Sequence, residues 1–205
     1  LIALPGGRLQ ALSIAWDTRP KERGGQRWFH LYPGQAIKAG DRLHWTGIDQ
    51  NWNYQCADCH STHLQKRFDS KTNVFSTTWS EINVACEACH GPASRHLDWA
   101  RKQGDGRKIS DKGLEAALDE RHGASWSRAA GATTAMRSAA RTTSREIDTC
   151  ARCHARRGQL TDEVEPGQPL ADSYRPALLA EDLYWADGQM RGEVYNYGSF
   201  LQSRM

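Results

Sequence analysis

The chain has 205 residues, 39% of them apolar, with a formal charge of +3 and a mean hydropathy of −0.73. So little apolar side chain excludes a large conventional core, and no apolar stretch is long enough for a transmembrane helix. The pI of about 8.6 comes without any nucleic-acid-binding motif, so nucleic acid is not an expected partner and the Arg surplus needs another explanation.

Residues 1–45 are expected to form an N-terminal β-hairpin region. Leu9 to Trp16 is an extended apolar-rich run, residues 18–25 read as a turn, and Arg27 to Tyr32 is a second run ended by Pro33-Gly34. Asp49 to Thr62 is predicted to be helical. Leu64 to Trp79 reads as a small hairpin with residues 69–73 at its tip. Ser80 stands where an N-cap would, with Glu81 in the first turn of a helix. Gly91-Pro92 breaks that helix, and another is predicted from His96 to Gln103. Residues 104–145 are Gly-, Ala- and Ser-rich and read as a polar insertion with hairpin character near Ala130-Gly131. Ser144 is expected to cap a further helix. The chain then reads as loop from Gly158 to Pro169, a tight turn at Trp185 to Gln189, and a closing helix over Glu193 to Met205.

Three pentapeptides interrupt this course: Cys56-Ala57-Asp58-Cys59-His60, Cys86-Glu87-Ala88-Cys89-His90 and Cys150-Ala151-Arg152-Cys153-His154. Cys-x-x-Cys-His is the attachment pattern of c-type haem. Two thiols add across the porphyrin vinyl groups, and the adjacent His becomes the proximal iron ligand. Zinc would use Cys pairs four at a time and leave the following His unexplained. A thioredoxin-like site needs one motif near a βαβ pattern, not three. All six Cys lie in the motifs, so none remains for a disulfide or a catalytic thiol. Three covalently attached haems c are expected, held by Cys56, Cys59, Cys86, Cys89, Cys150 and Cys153, with His60, His90 and His154 as iron ligands.

The macrocycles then supply the apolar surface that the side chains lack. The eight Trp and six Tyr suit packing against porphyrin. Each ferric haem with two His ligands and two ionised propionates carries about −1, which brings the loaded chain near neutrality. The clusters Arg152, Arg156, Arg157 and Arg137, Arg141, Arg145 are candidate propionate partners; a solvated helix face is the other reading of each. Covalent haem attachment takes place outside the cytoplasm, so a periplasmic or extracellular location is expected. The chain begins at Leu1 without a signal segment, so a removed export signal or a piece of a longer chain is expected.

Five His remain for the second axial positions: His30, His44, His63, His96 and His122, alongside Met136, Met190 and Met205. The surplus of His over Met favours two-His ligation and low potentials. On a helix His63 would share a face with His60, so it cannot reach the far side of the same haem. His122 sits in the polar insertion and reads as solvated. His96 follows a chain turn and is preferred as a distal ligand. His44 and His30, each flanked by apolar residues, are the next candidates, with an ordinary core role as the competing reading.

The wider blocks Asn51-Trp52-Asn53-Tyr54-Gln55 before the first motif, Thr78-Trp79-Ser80-Glu81-Ile82-Asn83-Val84-Ala85 before the second, and Ala155-Arg156-Arg157-Gly158 after the third are more specific. They resemble a family of exported bacterial multihaem cytochromes c. That family is related to the tetrahaem electron carrier of nitrifying bacteria, and many members carry C-terminal tetratricopeptide repeats. The resemblance extends over nearly the whole chain, including Trp28-Phe29-His30, Leu43-His44-Trp45-Thr46-Gly47 and Gly192-Glu193-Val194-Tyr195. It implies that His96, in a Cys-His-Gly-Pro-x-x-x-His pattern, ligates a neighbouring haem. It also implies that His30 and His44 lie in family-like blocks, and that His63 occupies a non-ligating position. Such proteins carry further haem motifs before and after the span seen here, so a fragment or processed core is expected. A distal ligand from outside these residues or from another subunit is then an alternative.

The expected architecture is mostly irregular, with short helices carrying the haem motifs, small β-hairpins, and a core organised around haems. Residues 46–160 form the multihaem core and 161–205 a C-terminal extension. The leading functional reading is electron transfer through three closely packed haems to redox partner proteins. The alternatives are a reductase of small nitrogen compounds with one open haem site, and a subunit that self-assembles into a conductive filament.

Overall fold

The computed structural model describes residues 1–102, 111–121 and 123–203. The readings for His122 and Met205, and part of the polar insertion, lie outside them. The chain divides into two units, Leu1–Asn83 and Val84–Met205.

The first unit is built from two-stranded pieces. β1 (Ile2–Leu4) pairs antiparallel with β2 (Arg8–Gln10). This hairpin is one the sequence reading did not separate from the next. Its turn runs through Gly6 and Gly7, both at positive φ, and a Cβ on Gly7 would stand 2.0 Å from the Phe75 carbonyl oxygen. Only glycine fits that approach. β3 (Ile14–Asp17) pairs with β4 (Arg27–His30) and sets Trp16 opposite Trp28, edge to face with centroids 5.4 Å apart. The predicted hairpin is therefore present, with a shorter first strand.

The predicted helix over Asp49 to Thr62 is reduced to a 3₁₀ turn at Ile48–Gln50 and α1 (Trp52–Gln55). Residues 56–60 are a turn, and Ser61 and Thr62 form β5, paired with β8 (Glu81–Ile82). Nested inside is the expected hairpin of β6 (Phe68–Asp69) and β7 (Val74–Phe75). Ser80 caps no helix; Glu81 is strand, and the next helix begins five residues later.

In the second unit α2 (Cys86–His90) ends at Gly91 and α3 (Ser94–Arg101) follows. β9 (Trp126–Ser127) and β10 (Met136–Arg137) make the hairpin expected in the insertion. α4 (Arg145–His154) carries the third motif. β11 (Arg157–Gln159) pairs with β12 (Tyr174–Pro176), preceded by α5 (Leu170–Ser173). α6 is only Tyr197–Gln202, shorter than the predicted closing helix because Tyr195 sits at φ 58°.

Side-chain cores are small. Ala151 on α4 and Ala155, the extended residue just after it, pack with Leu170 and Tyr174, flanked by Val164 and Tyr197. In the first unit the buried side chains include the amides of Gln10, Gln50, Asn51 and Asn53. Asn53 Oδ1 accepts from the Leu9 N–H at 2.7 Å, and its Nδ2 donates to Thr77 at 2.9 Å. Asn51 donates to Gln10, which donates to the Trp45 and Gly47 carbonyls. Meanwhile Trp28, Ile82, Val84, Leu97, Trp126 and Leu201 are exposed. The fold is a mostly irregular frame of short helices and strand pairs with much apolar surface uncovered.

Candidate site around the three motifs

The first motif follows α1, whose N-terminus is capped by Asn51 Oδ1 accepting from the Tyr54 N–H at 3.0 Å. Trp52 is buried and stands edge to face with Trp79 at 5.1 Å. The motif itself is a tight turn. The His60 N–H donates to the Cys56 carbonyl at 3.0 Å, and the His60 carbonyl accepts from the Asn83 N–H at 3.0 Å. Ala57 between the thiols is fully buried, whereas the His60 ring is exposed. Burial pushes the Cys56 thiol up, and the neighbouring Cys59 adds to the shift, so this sulfur is a neutral thiol at neutral pH.

The second motif is α2 itself. Its His90 Nδ1 lies 2.9 Å from the Ala116 carbonyl oxygen. The His96 Nδ1, on α3, lies 2.8 Å from the Lys112 carbonyl oxygen. A carbonyl only accepts, so both rings carry a proton on Nδ1. In the neutral ring Nε2 then holds a lone pair directed away from that bond, the tautomer a metal ligand needs. Trp99 stacks on His96 at 5.5 Å and helps fix its plane.

The third motif occupies the last half of α4. Cys150 and His154 stand four residues apart, on the face beside the one that buries Ala151. They line a cavity of about 670 Å³ with Ile147, Trp126, Phe200 and Tyr197, and with Arg137, Arg141 and Glu120. Thiol and imidazole share one wall, rings cover others, and guanidinium groups sit at the same cavity. Partial desolvation pushes the Cys150 thiol up, with smaller contributions from Cys89 and Glu146. Cys89 is thus a near neighbour of Cys150. Arg152 Nη1 donates to the Ala88 carbonyl at 3.1 Å. The second and third motifs lie side by side within this unit.

Other candidates have different surroundings. His30 Nδ1 accepts from the Tyr32 N–H at 3.0 Å. His44 Nδ1 faces the Thr46 hydroxyl at 2.8 Å and the Thr46 N–H at 3.4 Å. A backbone N–H only donates, so in this arrangement the proton of His30 is on Nε2. His63 is exposed at φ 53° in the residue after β5; it shares no helix with His60, contrary to the sequence argument. Arg156 donates to the Glu193 carbonyl, and Arg157 lies over the Tyr174 ring at 4.1 Å, so these two are engaged within the protein. Arg145 runs beside Gly167.

Glu120 is the contributor that sequence reading missed. Its carboxylate accepts from the Glu146 N–H at 3.1 Å and from Thr143, and pairs with Arg141 at 3.2 Å. It caps α4 in place of Ser144, whose hydroxyl donates to Asp148 instead. No local signal announces a cap that comes from 26 residues away.

The donor set fits covalently held haem. Thiols in vicinal pairs are each followed by an imidazole, two rings present Nε2, and the third motif opens on an aromatic-walled cavity with guanidinium groups. Among the described residues no three His, Cys, Asp or Glu side chains converge as a closed ion site would require. Nor is any helix among them long and apolar enough to cross a membrane.

No curated protein and no solved structure matches the chain. Residues 41–172 match the family model of the NapC/NirT cytochrome c family, N-terminal region, a span that covers more than half of the chain and contains all three motifs. The chain belongs to the NapC/NirT cytochrome c family, and is thereby a c-type cytochrome of electron transfer with covalently bound haem c.

Proposed function

We propose that the chain carries three haems, joined through Cys56/Cys59, Cys86/Cys89 and Cys150/Cys153, and passes electrons between redox partner proteins outside the cytoplasm. His60, His90 and His154 serve as proximal ligands. His96 is the first choice for a distal position, with His44 and His30 for the others. The observation that carries this reading is the pair of Nδ1 bonds from His90 and His96 to backbone carbonyls, 2.9 and 2.8 Å long. Rings held that way are oriented and protonated as ligands before any iron is bound.

Haem supplies the one-electron couple, and the chain supplies ligand identity, burial and fixed distance. Arg152 holds the Cys86–His90 segment beside α4, so that two attachment sites stay neighbours. Arg137 and Arg141 line the third site, where propionates need positive charge; there Arg141 is already paired with Glu120, and Arg137 donates to the carbonyls of Glu120 and Ala139. Constant ligation by two imidazoles leaves little rearrangement on reduction and no iron position for a substrate. The haem-bearing core in this reading is residues 46–160.

The test is intact mass of the denatured holoprotein, with its resting EPR spectrum. The expected mass exceeds the polypeptide by three haems, and the expected irons are low-spin. A bare-chain mass overturns the reading. A high-spin resting iron with steady turnover of nitrite or hydroxylamine replaces it with a reductase.

A further inference from the structure

We propose that the loop of residues 111–116 is a single positioning device for two imidazoles that serve different haems. This rests on the reading of His90 and His96 as iron ligands given above. Both Nδ1 acceptors, the carbonyls of Lys112 and Ala116, belong to this one short loop. Ala116 holds His90 twice, since its N–H also donates to the His90 carbonyl at 3.2 Å. Ala116 is fully buried.

The loop is fixed to α3 by close backbone contact. Gly113 is at φ +76°, and a Cβ there would stand 2.5 Å from the Arg95 carbonyl oxygen and 2.9 Å from the His96 nitrogen. Only glycine allows that approach at that φ. Asp111 locks the turn by accepting from the Gly113 N–H at 2.8 Å, and it faces Arg95 at 3.7 Å. Lys112 holds φ 52° in this turn, and its carbonyl meets the His96 ring.

The consequence is electronic as well as geometric. Donation from Nδ1–H to a carbonyl raises the basicity of Nε2 and so favours ferric iron. One loop therefore lowers the potential of two haems together. A loop displacement weakens both bonds and raises both potentials. Lys112 and Ala116 act through the imidazoles, as positioning residues.

The experiment is a spectropotentiometric titration of holoprotein with EPR, comparing wild type with Gly113→Ala. The added methyl must push the loop off α3. The expected result is an upward shift of two midpoint potentials with altered g-values at the same two haems, the third being unmoved. Asp111→Ala, which loosens the turn without a clash, gives a smaller shift at the same pair and covers the case in which Gly113→Ala fails to fold. A shift confined to one haem, an equal shift at all three, or no shift overturns the inference. His96→Ala, measured in parallel, separates the two levels. If every haem stays low-spin in that variant, the ligand reading has failed. If one haem turns high-spin while the loop variants move only one potential, the loop inference alone has failed.

Discussion

Arg152 donates to the carbonyl of Ala88 at 3.1 Å, so a residue inside the third motif grips one inside the second. Both lie in the two-residue spacer between motif cysteines. The bond therefore ties the two motif segments together, and under the proposed function it sets the distance an electron would cross between two haems. A charged donor to a buried-side carbonyl contributes about 2 kcal/mol. Arg152→Met is expected to lower unfolding free energy by that amount in guanidinium denaturation of holoprotein, with covalent attachment intact by mass. Unchanged stability would show that the contact does not hold the two segments.

Glu120→Ala is expected to free the first turn of α4. The Glu120 side chain is 10% exposed, so the groups it leaves behind, the Glu146 N–H and Arg141, lose a nearly dry partner. The cost is about 1–3 kcal/mol. Hydrogen exchange should quicken in residues 145–150 and stay the same in residues 86–90. Glu120→Gln keeps an acceptor for the Glu146 N–H and should lose less. Equal exchange in all three proteins would remove Glu120 as the cap.

How much of this was legible in the sequence follows the range of the forces. The pentapeptides were legible because thioether chemistry needs two Cys and a His within five residues. The hairpin of β6 and β7 was legible because Asp69 closes its own turn, accepting from the Lys71 N–H and the Thr72 hydroxyl. The pairing of Ser61-Thr62 with Glu81-Ile82 was not, since two-residue strands leave no alternation to read, and a run toward His60 looked helical. The cap from Glu120 and the carbonyls facing His90 and His96 were invisible for a different reason. They are tertiary partners, and a backbone carbonyl has no residue type to recognise.

Asp17 offers a pH-dependent test of the first hairpin. Hydrogen bonds from the Arg19 side chain and backbone hold its carboxyl down at about 2, against an ordinary value of 3.8. A depressed carboxylate contributes its stabilisation in full above the unfolded value and loses it as pH falls through the folded one. The contribution is therefore complete above about pH 4 and fades toward pH 2. The Arg19 side chain is exposed, so the pair is screened by salt. NMR titration of Asp17 should give a midpoint near 2 that rises with added salt and in Arg19→Ala. A midpoint at 3.8 in dilute buffer would mean that the contact is not populated.

His96→Ala tests the ligand geometry most directly. The ring has its proton on Nδ1, its plane stacked on Trp99 and its Nε2 lone pair available. The ring of His30, whose Nδ1 accepts from Tyr32, must give up that bond and shift its proton before it can ligate. Removing the oriented ring is expected to turn one haem high-spin and accessible to carbon monoxide, with the intact mass lowered only by the side-chain change. The covalent bonds to cysteine do not depend on the distal side, so attachment survives. Carbon monoxide binding to the reduced variant, absent in wild type, is the readout. If the variant keeps a fully low-spin spectrum, His96 is held by Lys112 for structural reasons alone, and the distal position belongs to another residue.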